Sequence, residues 1–255
     1  MNDTLRLLEE RCSTRTYDPT PLSAEETAAI LHAAMRAPTG GNMTLYSIIE
    51  VADQAIKDRL AVTCDDQPFI AKAPLVLVFV ADMQKWTDLF DYSRAHEMEG
   101  AEPRSVPGPG DLMLACCDAL IAAQNAVVAA ESLGIGSCYI GDILEQGEVH
   151  ADLLALPPRT FPVTMLCFGR PLSAQTPVAH YEKHVVHKDR YRRLTDDELA
   201  EVSGDLQRLH APHGLAPGIT NYAQSVYRRK FASDFMREMD RSVRWWIERW
   251  GSSRP

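Results

Sequence analysis

The segment AAQNAVVAAESLGIGSCYIGD, residues 122–142, contains the two patterns that decide the fold class. Its first half continues an apolar, alanine-rich run from Asp111, which predicts a long buried helix over residues 111–134 with Gly134 as its C-cap. Its second half has the glycine spacing G-x-G-x4-G and follows that helix. A dinucleotide-binding fingerprint requires G-x-G-x-x-G after a strand, so we exclude a Rossmann fold here.

Three further apolar runs predict strands of one sheet. The runs PLVLVFVA (74–81) and PVTMLCFG (162–169) are continuous and rich in β-branched residues, as central strands covered on both faces are, and LYSIIEVA (45–52) predicts a third strand. After Ser23, apolar residues recur with helical periodicity, and Ser23 and Glu26 stand three positions apart, as in a capping box. Helices that alternate with a few buried strands predict an α/β or α+β class.

The charge of the chain is unevenly distributed. The 255 residues carry a formal net charge of −9, which argues against a nucleic-acid partner. Residues 222–255 contain eight Lys or Arg against four Asp or Glu, so this segment has +4 and the rest of the chain has −13. The apolar stripe of its last helix consists of Phe231, Phe235, Met239, Val243, Ile247 and Trp250. We expect this basic arm to lie against protein, either its own subunit or, as we prefer, a partner.

The cysteines, the N-terminus and the apolar runs indicate the cellular compartment of the protein. Six cysteines show no C-x-x-C pair, and several lie inside apolar runs, which fits a reducing compartment better than a disulfide framework. The N-terminus carries both charge signs, unlike a signal or transit peptide. Polar residues interrupt the longest apolar runs, so no membrane span is expected and the protein is predicted to be cytoplasmic.

The stretch RCSTRTYDPTPLS, residues 11–23, predicts an anion site near the start of the chain. Arg11, Ser13 and Arg15 alternate, so an extended backbone directs their side chains to one side. Two guanidinium groups and a hydroxyl on one face suit a phosphate or a planar, electron-rich group. A solvent-exposed strand with alternating arginines is the alternative explanation of this stretch.

Two other stretches carry residues suited to a flat ligand. RAPTGGNMTLY (36–46) places glycines at a helix end, where backbone N–H groups can approach a ligand closely, although a turn that only ends a helix has the same composition. Gln67 precedes the predicted central strand 74–81, and its amide can both donate and accept a hydrogen bond. Residues 84–110 are polar and rich in proline and glycine near their end, which predicts a long loop or substrate lid whose aromatic residues could stack on flat acceptors.

Taken in order, R-x-S-x-R, P-T-G-G-N, a glutamine before a central strand and AAESLGIGSCYIGD resemble the nitroreductase family of FMN-dependent oxidoreductases. Within that family the sequence is most similar to the NADPH-preferring, flavin-reductase-like branch. The resemblance extends approximately over residues 5–195, and 122–142 is its most specific part. The four motifs together are specific, whereas each alone is a weak signal.

The resemblance implies an α+β fold with a nitroreductase-like, mostly antiparallel central sheet flanked by helices. It also implies an intertwined homodimer with one FMN at each of two interface sites. We therefore expect an FMN-binding domain over residues 1–220 and a C-terminal helical arm over 221–255 that packs on the partner subunit.

The same resemblance assigns roles around FMN. Arg11 and Ser13 would face the phosphate and ribityl chain, and Arg15 the pyrimidine edge. The backbone N–H of Gly141 would lie near flavin N5, and no side chain is expected to act as a catalytic acid or base. The remaining cofactor-binding positions by similarity are Thr39, Gly41, Asn42, Gln67, Tyr139, Ile140 and His180.

The sequence departs from the family pattern at two places. Members commonly carry a basic K/R-x-R cluster after the last strand, where this chain has Val178 and His180, so Arg11 is expected to bear more of the phosphate. Met43 and Thr44 stand where the family has a glutamine shortly after Asn42.

The leading function is ping-pong transfer of hydride from NAD(P)H to nitroaromatic, quinone or flavin acceptors. The alternatives are a dedicated FMN-dependent biosynthetic redox enzyme, which could use oxygen, and a flavin-binding protein without turnover. A metal site at His180, His184 and His187 is not expected, because the intervening residues favour an extended chain that separates the rings. Cys138 has no base placed by the sequence and is expected to serve in packing.

Overall fold

A computed structural model of the chain describes residues 1–100, 106–173, 176–177 and 180–252. The predictions made for Val178 and for the centre of the lid, 101–105, lie outside the described residues. The chain divides into two compact units. The first comprises Met1–Pro177 and Met239–Pro255, and the second comprises Val178–Glu238.

The first unit is built on one antiparallel sheet of four strands in the order β1-β2-β4-β3. Every residue of the central strand β2 is buried, as its continuous apolar run predicts. The predicted strands and the mostly antiparallel sheet are confirmed. The strands are β1 (Tyr46–Glu50), β2 (Leu75–Asp82), β3 (Gly136–Ile140) and β4 (Thr160–Gly169).

Helices flank this sheet. The capping box of Ser23 and Glu26 is present at the start of the second helix, and the long helix predicted over 111–134 is confirmed with small changes at its ends. The chain reverses at Gly134, whose φ of +71° is the left-handed conformation that glycine adopts most easily. The helices are α1 (Asp3–Glu10), α2 (Ala24–Met35), α3 (Gln54–Thr63), α4 (Pro68–Lys72), α5 (Gln84–Tyr92), α6 (Pro109–Ser132) and α7 (Gly147–Leu153).

The prediction of a loop over residues 84–110 is wrong in its first third, which forms α5. Trp86 and Phe90 lie one helical turn apart and pack with their ring centroids 5.6 Å apart, and Thr87 is buried. The Trp86 indole N–H donates to the Met43 carbonyl at 2.8 Å. The polar composition of this segment hid an apolar helical face, and two of the predicted lid aromatics are therefore packed on each other.

The prediction that α6 is buried all round is also wrong. An alanine-rich face packs on the sheet, with Ala115, Ala119 and Ala122 fully buried, because alanines allow a close approach of helix and sheet. The opposite face is apolar and exposed, and its large side chains are Met113, Leu114, Leu120 and Ile121. In the described part of the chain, α6 is one helix long and apolar enough to cross a membrane, a weak signal that core helices also give.

The second unit contains α8 (Asp196–His210), α9 (Tyr222–Val226) and a π-helical turn, Tyr227–Phe231. Its described residues, 180–238, include none that is buried. Ion pairs hold its surface together: Lys183 contacts carboxylates of α8, and Arg192 makes two parallel hydrogen bonds to Glu198 at 2.6 and 2.8 Å. This unit is therefore ordered by polar contacts rather than by an apolar core of its own.

The last helix, α10, spans Asp234–Trp250, and a turn at Ala232 and Ser233 separates it from the helical turns before it. Its buried residues are Ser242, Trp246 and Trp250, so of the predicted stripe only Trp250 is buried, whereas Phe231 and Ile247 are exposed. Residues 239–252 thus pack on their own chain, which is the alternative that the sequence left open. An arm of 221–255 on a partner subunit stays a prediction.

Candidate functional site

The segment that carries Arg11, Ser13 and Arg15 runs beside β3. Ser13 forms a parallel bridge with Ser137, and the Thr14 N–H donates to the Ser137 carbonyl at 2.9 Å. Thr14 is buried, whereas Ser13 is half-buried and Arg15 is exposed, and the common orientation of Arg11, Ser13 and Arg15 stays a prediction.

Gly136 makes this close approach possible. A Cβ at position 136 would lie 2.2 Å from the Thr14 hydroxyl oxygen and 2.8 Å from the Thr14 Cβ. Only a residue without a side chain fits between β3 and the N-terminal segment. Gly136, one glycine of the G-x-G-x4-G spacing, therefore allows the arginine segment to pack against the sheet.

Arg11 is the most distinctive group of the site. Its guanidinium carbon lies 5.8 Å from the centroid of the Tyr139 ring, and the Tyr139 hydroxyl donates to Gln124 on α6 at 3.1 Å. Nε and Nη2 of Arg11 are buried and have no hydrogen-bond acceptor among the described residues. Burial raises the pKa of Glu131 and the Arg11 charge opposes that rise. A buried guanidinium with two open donors has the chemistry of an anion receptor.

The three predicted side chains share one neighbour, Cys138. Burial raises the pKa of the Cys138 thiol, and the charges of Arg15 and Arg11 and a hydrogen bond from Ser13 oppose the rise. The raised pKa keeps Cys138 a thiol at neutral pH, consistent with its expected packing role.

The chain turns sharply where β3 ends. A 3-10 turn covers Gly141–Leu144, and Gly141 is exposed. A Cβ added at Gly141 would meet no atom within 4 Å, so the backbone there is open to a flat ligand. The Ile140 side chain is buried in the core, so only its main chain can face such a ligand. Gln67 lies at this turn and donates to the Asp142 carboxylate at 3.1 Å and to the Cys64 carbonyl at 2.8 Å.

The loop with Thr39, Gly41 and Asn42 is held by α6. The buried carboxylate of Asp118 accepts the N–H of Gly40 at 2.9 Å and that of Leu45 at 3.2 Å. The side chain of Thr39 accepts the N–H of Thr44 at 3.1 Å. The loop is thereby closed on itself and fixed to the middle of α6.

This loop contains three residues in the left-handed region. Gly41, Asn42 and Thr44 have φ angles of +58°, +57° and +53°. Such backbone is costly for a β-branched residue like threonine and is often found at ligand-binding loops. Its presence beside the glycines supports a binding role for the segment.

Within one chain these residues form separate groups. Arg11, Ser13, Arg15 and Tyr139 gather on one side of β3, and Gln67 lies at the Gly141 turn. Among the residues that the structure describes, the hydrogen bonds of the 39–45 loop lead to α6 and α5 rather than to Arg11 or Ser13. His180 is exposed in the second unit.

Two carboxylates that position the site were missed by sequence reasoning. Asp118 and Asp142 bind the loop and Gln67, respectively. The available signal for Asp118 was a lone charge inside an apolar, alanine-rich helix, where a buried carboxylate requires partners. In the described ranges, His, Cys, Asp and Glu residues form no group of three or more suited to a metal ion.

Comparisons with known proteins agree with this arrangement. The nitroreductase family model matches residues 8–170. The chain is 32% identical over 198 residues to FMN reductase (NADPH) of Bacillus subtilis (strain 168), covering 77% of this chain and 78% of that protein. It is 29% identical over 219 residues to an oxygen-insensitive NADPH nitroreductase of Salmonella typhimurium, covering 84% and 85%. The solved structure of NfrA1 from B. megaterium superposes with a TM-score of 0.80 at 26% identity, covering 96% and 98%. The chain belongs to the nitroreductase family.

Proposed function

We propose that this protein is an FMN-dependent oxidoreductase that transfers hydride from NAD(P)H to small nitroaromatic, quinone or flavin acceptors. The observation that carries the proposal is the buried Arg11 guanidinium, whose Nε and Nη2 have no acceptor among the described residues, near the strand that leads to the open Gly141 turn. The family membership and the names of the relatives support the same activity.

The residues fit an FMN. Arg11 and Ser13 would bind the phosphate and ribityl chain, and Arg15 would face the pyrimidine edge, where a positive charge stabilises the reduced, anionic flavin. Gly141 would present its N–H to N5 of the ring system, and Gln67 would contact the pyrimidine from the same turn.

When bound, FMN supplies the hydride chemistry between the nicotinamide donor and the acceptor. The chain contributes binding, orientation and electrostatics, and no side chain is required as a general acid or base. Because one open turn serves both donor and acceptor, the two substrates use the site in succession, which is ping-pong kinetics.

We propose that the protein acts as a homodimer through the exposed face of α6. Leu114 and Ile121 lie on this face, and α1, with exposed Leu5 and Leu8, has no buried residue. Asp118, on the same helix, anchors the 39–45 loop. A partner packed on this face would bring its own copy of that loop toward the Arg11 group, which would join residues that lie apart in one chain. His180 would contribute to the FMN site, and the 221–255 arm would pack on the partner subunit.

Placing a charge on this face is expected to dissociate the dimer. Ile121→Glu would bury a carboxylate without a partner in the interface, and we expect the dimer dissociation constant to rise more than about a hundredfold. Val62→Glu is the matched control, because Val62 is also exposed and apolar but lies on α3. Light scattering after size exclusion measures the mass. A dimeric Ile121→Glu protein would contradict this interface.

The test of the proposed function is spectroscopic. The purified protein should bind FMN, lose the oxidised flavin absorption when NADPH is added without oxygen, and recover it when a nitroaromatic is added. FMN that stays oxidised with both NADPH and NADH would contradict reductase activity and favour a dedicated biosynthetic enzyme or a flavin-binding protein. A protein that binds no FMN would contradict the proposal as a whole.

A cytoplasmic location fits the cysteines. All six are free thiols, and burial raises the pKa of the Cys64 and Cys167 thiols. Thiols of this kind persist in a reducing compartment.

A further inference from the structure

The Gly141–Leu144 turn is held from behind by a buried histidine. His150 on α7 is fully buried, and its Nδ1 lies 2.9 Å from the Ile143 carbonyl oxygen. Its Nε2 lies 2.8 Å from the Thr63 hydroxyl at the end of α3. A carbonyl can only accept, so Nδ1 carries a proton and donates it to Ile143, while the Thr63 hydroxyl lies within hydrogen-bond distance of both Nε2 and the Arg59 carbonyl.

The surroundings keep this ring neutral. Burial lowers the pKa of His150, Arg59 on α3 acts in the same direction, and hydrogen bonds to the Ile143 and Glu145 backbone oppose it. A neutral ring therefore has its proton on Nδ1, toward the turn, and its Nε2 faces the end of α3.

We propose that His150 is a positioning residue for flavin reduction, because its Nδ1–H fixes the Ile143 carbonyl and thereby the direction of the Gly141 N–H. This inference rests on the proposed function. A second link, from the Gln146 amide to the Thr63 carbonyl at 3.0 Å, joins the end of the turn to α3. The Gln146 link ties the end of the turn to α3 independently of the Thr63 hydroxyl, and the bond from His150 to Ile143 holds the part closest to Gly141, so losing the Ile143 bond releases that part.

Two amide substitutions of His150 distinguish the roles of its two ring nitrogens. In His150→Asn the amide lies where Nδ1 was and can still donate to Ile143. In His150→Gln it reaches the position of Nε2 and serves Thr63 instead. Thr63→Val is the matched control, because it removes the Thr63 hydroxyl and leaves the Ile143 bond intact.

The experiment compares the midpoint potential and absorption spectrum of bound FMN in these variants. We expect His150→Gln to change the equilibrium between oxidised and reduced flavin at least tenfold, about 30 mV for a two-electron couple. His150→Asn and Thr63→Val should stay close to wild type. A folded His150→Gln protein with the wild-type potential and spectrum would overturn the inference, and so would equal shifts in all three variants.

A measurement on the wild-type protein keeps the inference testable if His150→Gln does not fold. With 15N-labelled histidine, the exchange-protected Nδ1–H resonance of His150 should shift when FMN is added to the apoprotein. An unchanged resonance on confirmed FMN binding would overturn the positioning role alone. Wild-type protein that binds no FMN would instead show that the proposed function itself has failed.

Discussion

Arg11→Ala is expected to strip FMN from the purified protein. Nε and Nη2 of Arg11 are buried without acceptors among the described residues, so both are available to the phosphate. A hydrogen bond to a charged group contributes about 1.5–3 kcal/mol, so losing two corresponds to a dissociation constant raised about a hundredfold or more. We expect the effect to be enlarged, because the family resemblance places His180 where members commonly carry a basic residue.

The measurement is FMN binding to the apoprotein, followed by fluorescence or calorimetry. Arg6→Ala is the matched control, because Arg6 is an exposed arginine of α1 that pairs with Asp3, at the opposite end of the helix from its C-cap, Arg11. The FMN affinity of Arg11→Lys should lie between those of Arg11→Ala and Arg6→Ala, since lysine keeps the charge but lacks the planar pair of donors. Retention of full flavin colour by Arg11→Ala would remove Arg11 from the phosphate site.

Asp118→Ala is expected to destabilise the protein and weaken FMN binding together. Asp118 is 4% exposed and accepts two backbone N–H groups, from Gly40 and Leu45. Each buried donor left without an acceptor costs about 1–3 kcal/mol, so the free energy of unfolding should fall by about 2–6 kcal/mol. At about 2–4 °C per kcal/mol the melting temperature should fall by roughly 10 °C.

Asp118→Asn should lose less stability, because one carboxamide oxygen can still accept. Asp58→Ala is the control, since Asp58 is exposed on α3 and accepts the Gln54 side chain. Thermal denaturation and FMN titration test both parts. If Asp118→Ala lost stability but bound FMN normally, the 39–45 loop would have no place at the cofactor.

The strands of the sheet could be predicted because their signal is local and apolar. β2 is buried along its whole length, so its residues need no alternation and form one continuous run. The capping box of Ser23 and Glu26 is likewise a contact between near neighbours. The helix α5 was not predicted because its few apolar residues, among them Trp86 and Phe90, lie in a polar segment, and their packing helps to stabilise it.

Candidate site residues could be proposed from the sequence, but the residues that support them could not. The alternation of Arg11 and Arg15 follows from the geometry of an extended chain, whereas the contact between Asp118 and Gly40 joins positions 78 residues apart. The exposed face of α6 is as apolar as its alanine-rich buried face, so apolar periodicity alone could not separate the two faces. Burial of the Ile140 side chain is set by the register of β3 against β4.

The bridge between Ser13 and Ser137 joins two segments that are synthesised at well-separated times. These residues leave the ribosome among the first, yet the strand beside which they settle is synthesised much later. Closing so long a loop delays this contact relative to local structure. Coenzyme capture is therefore a late event in biogenesis, and free FMN then favours the completed fold by mass action.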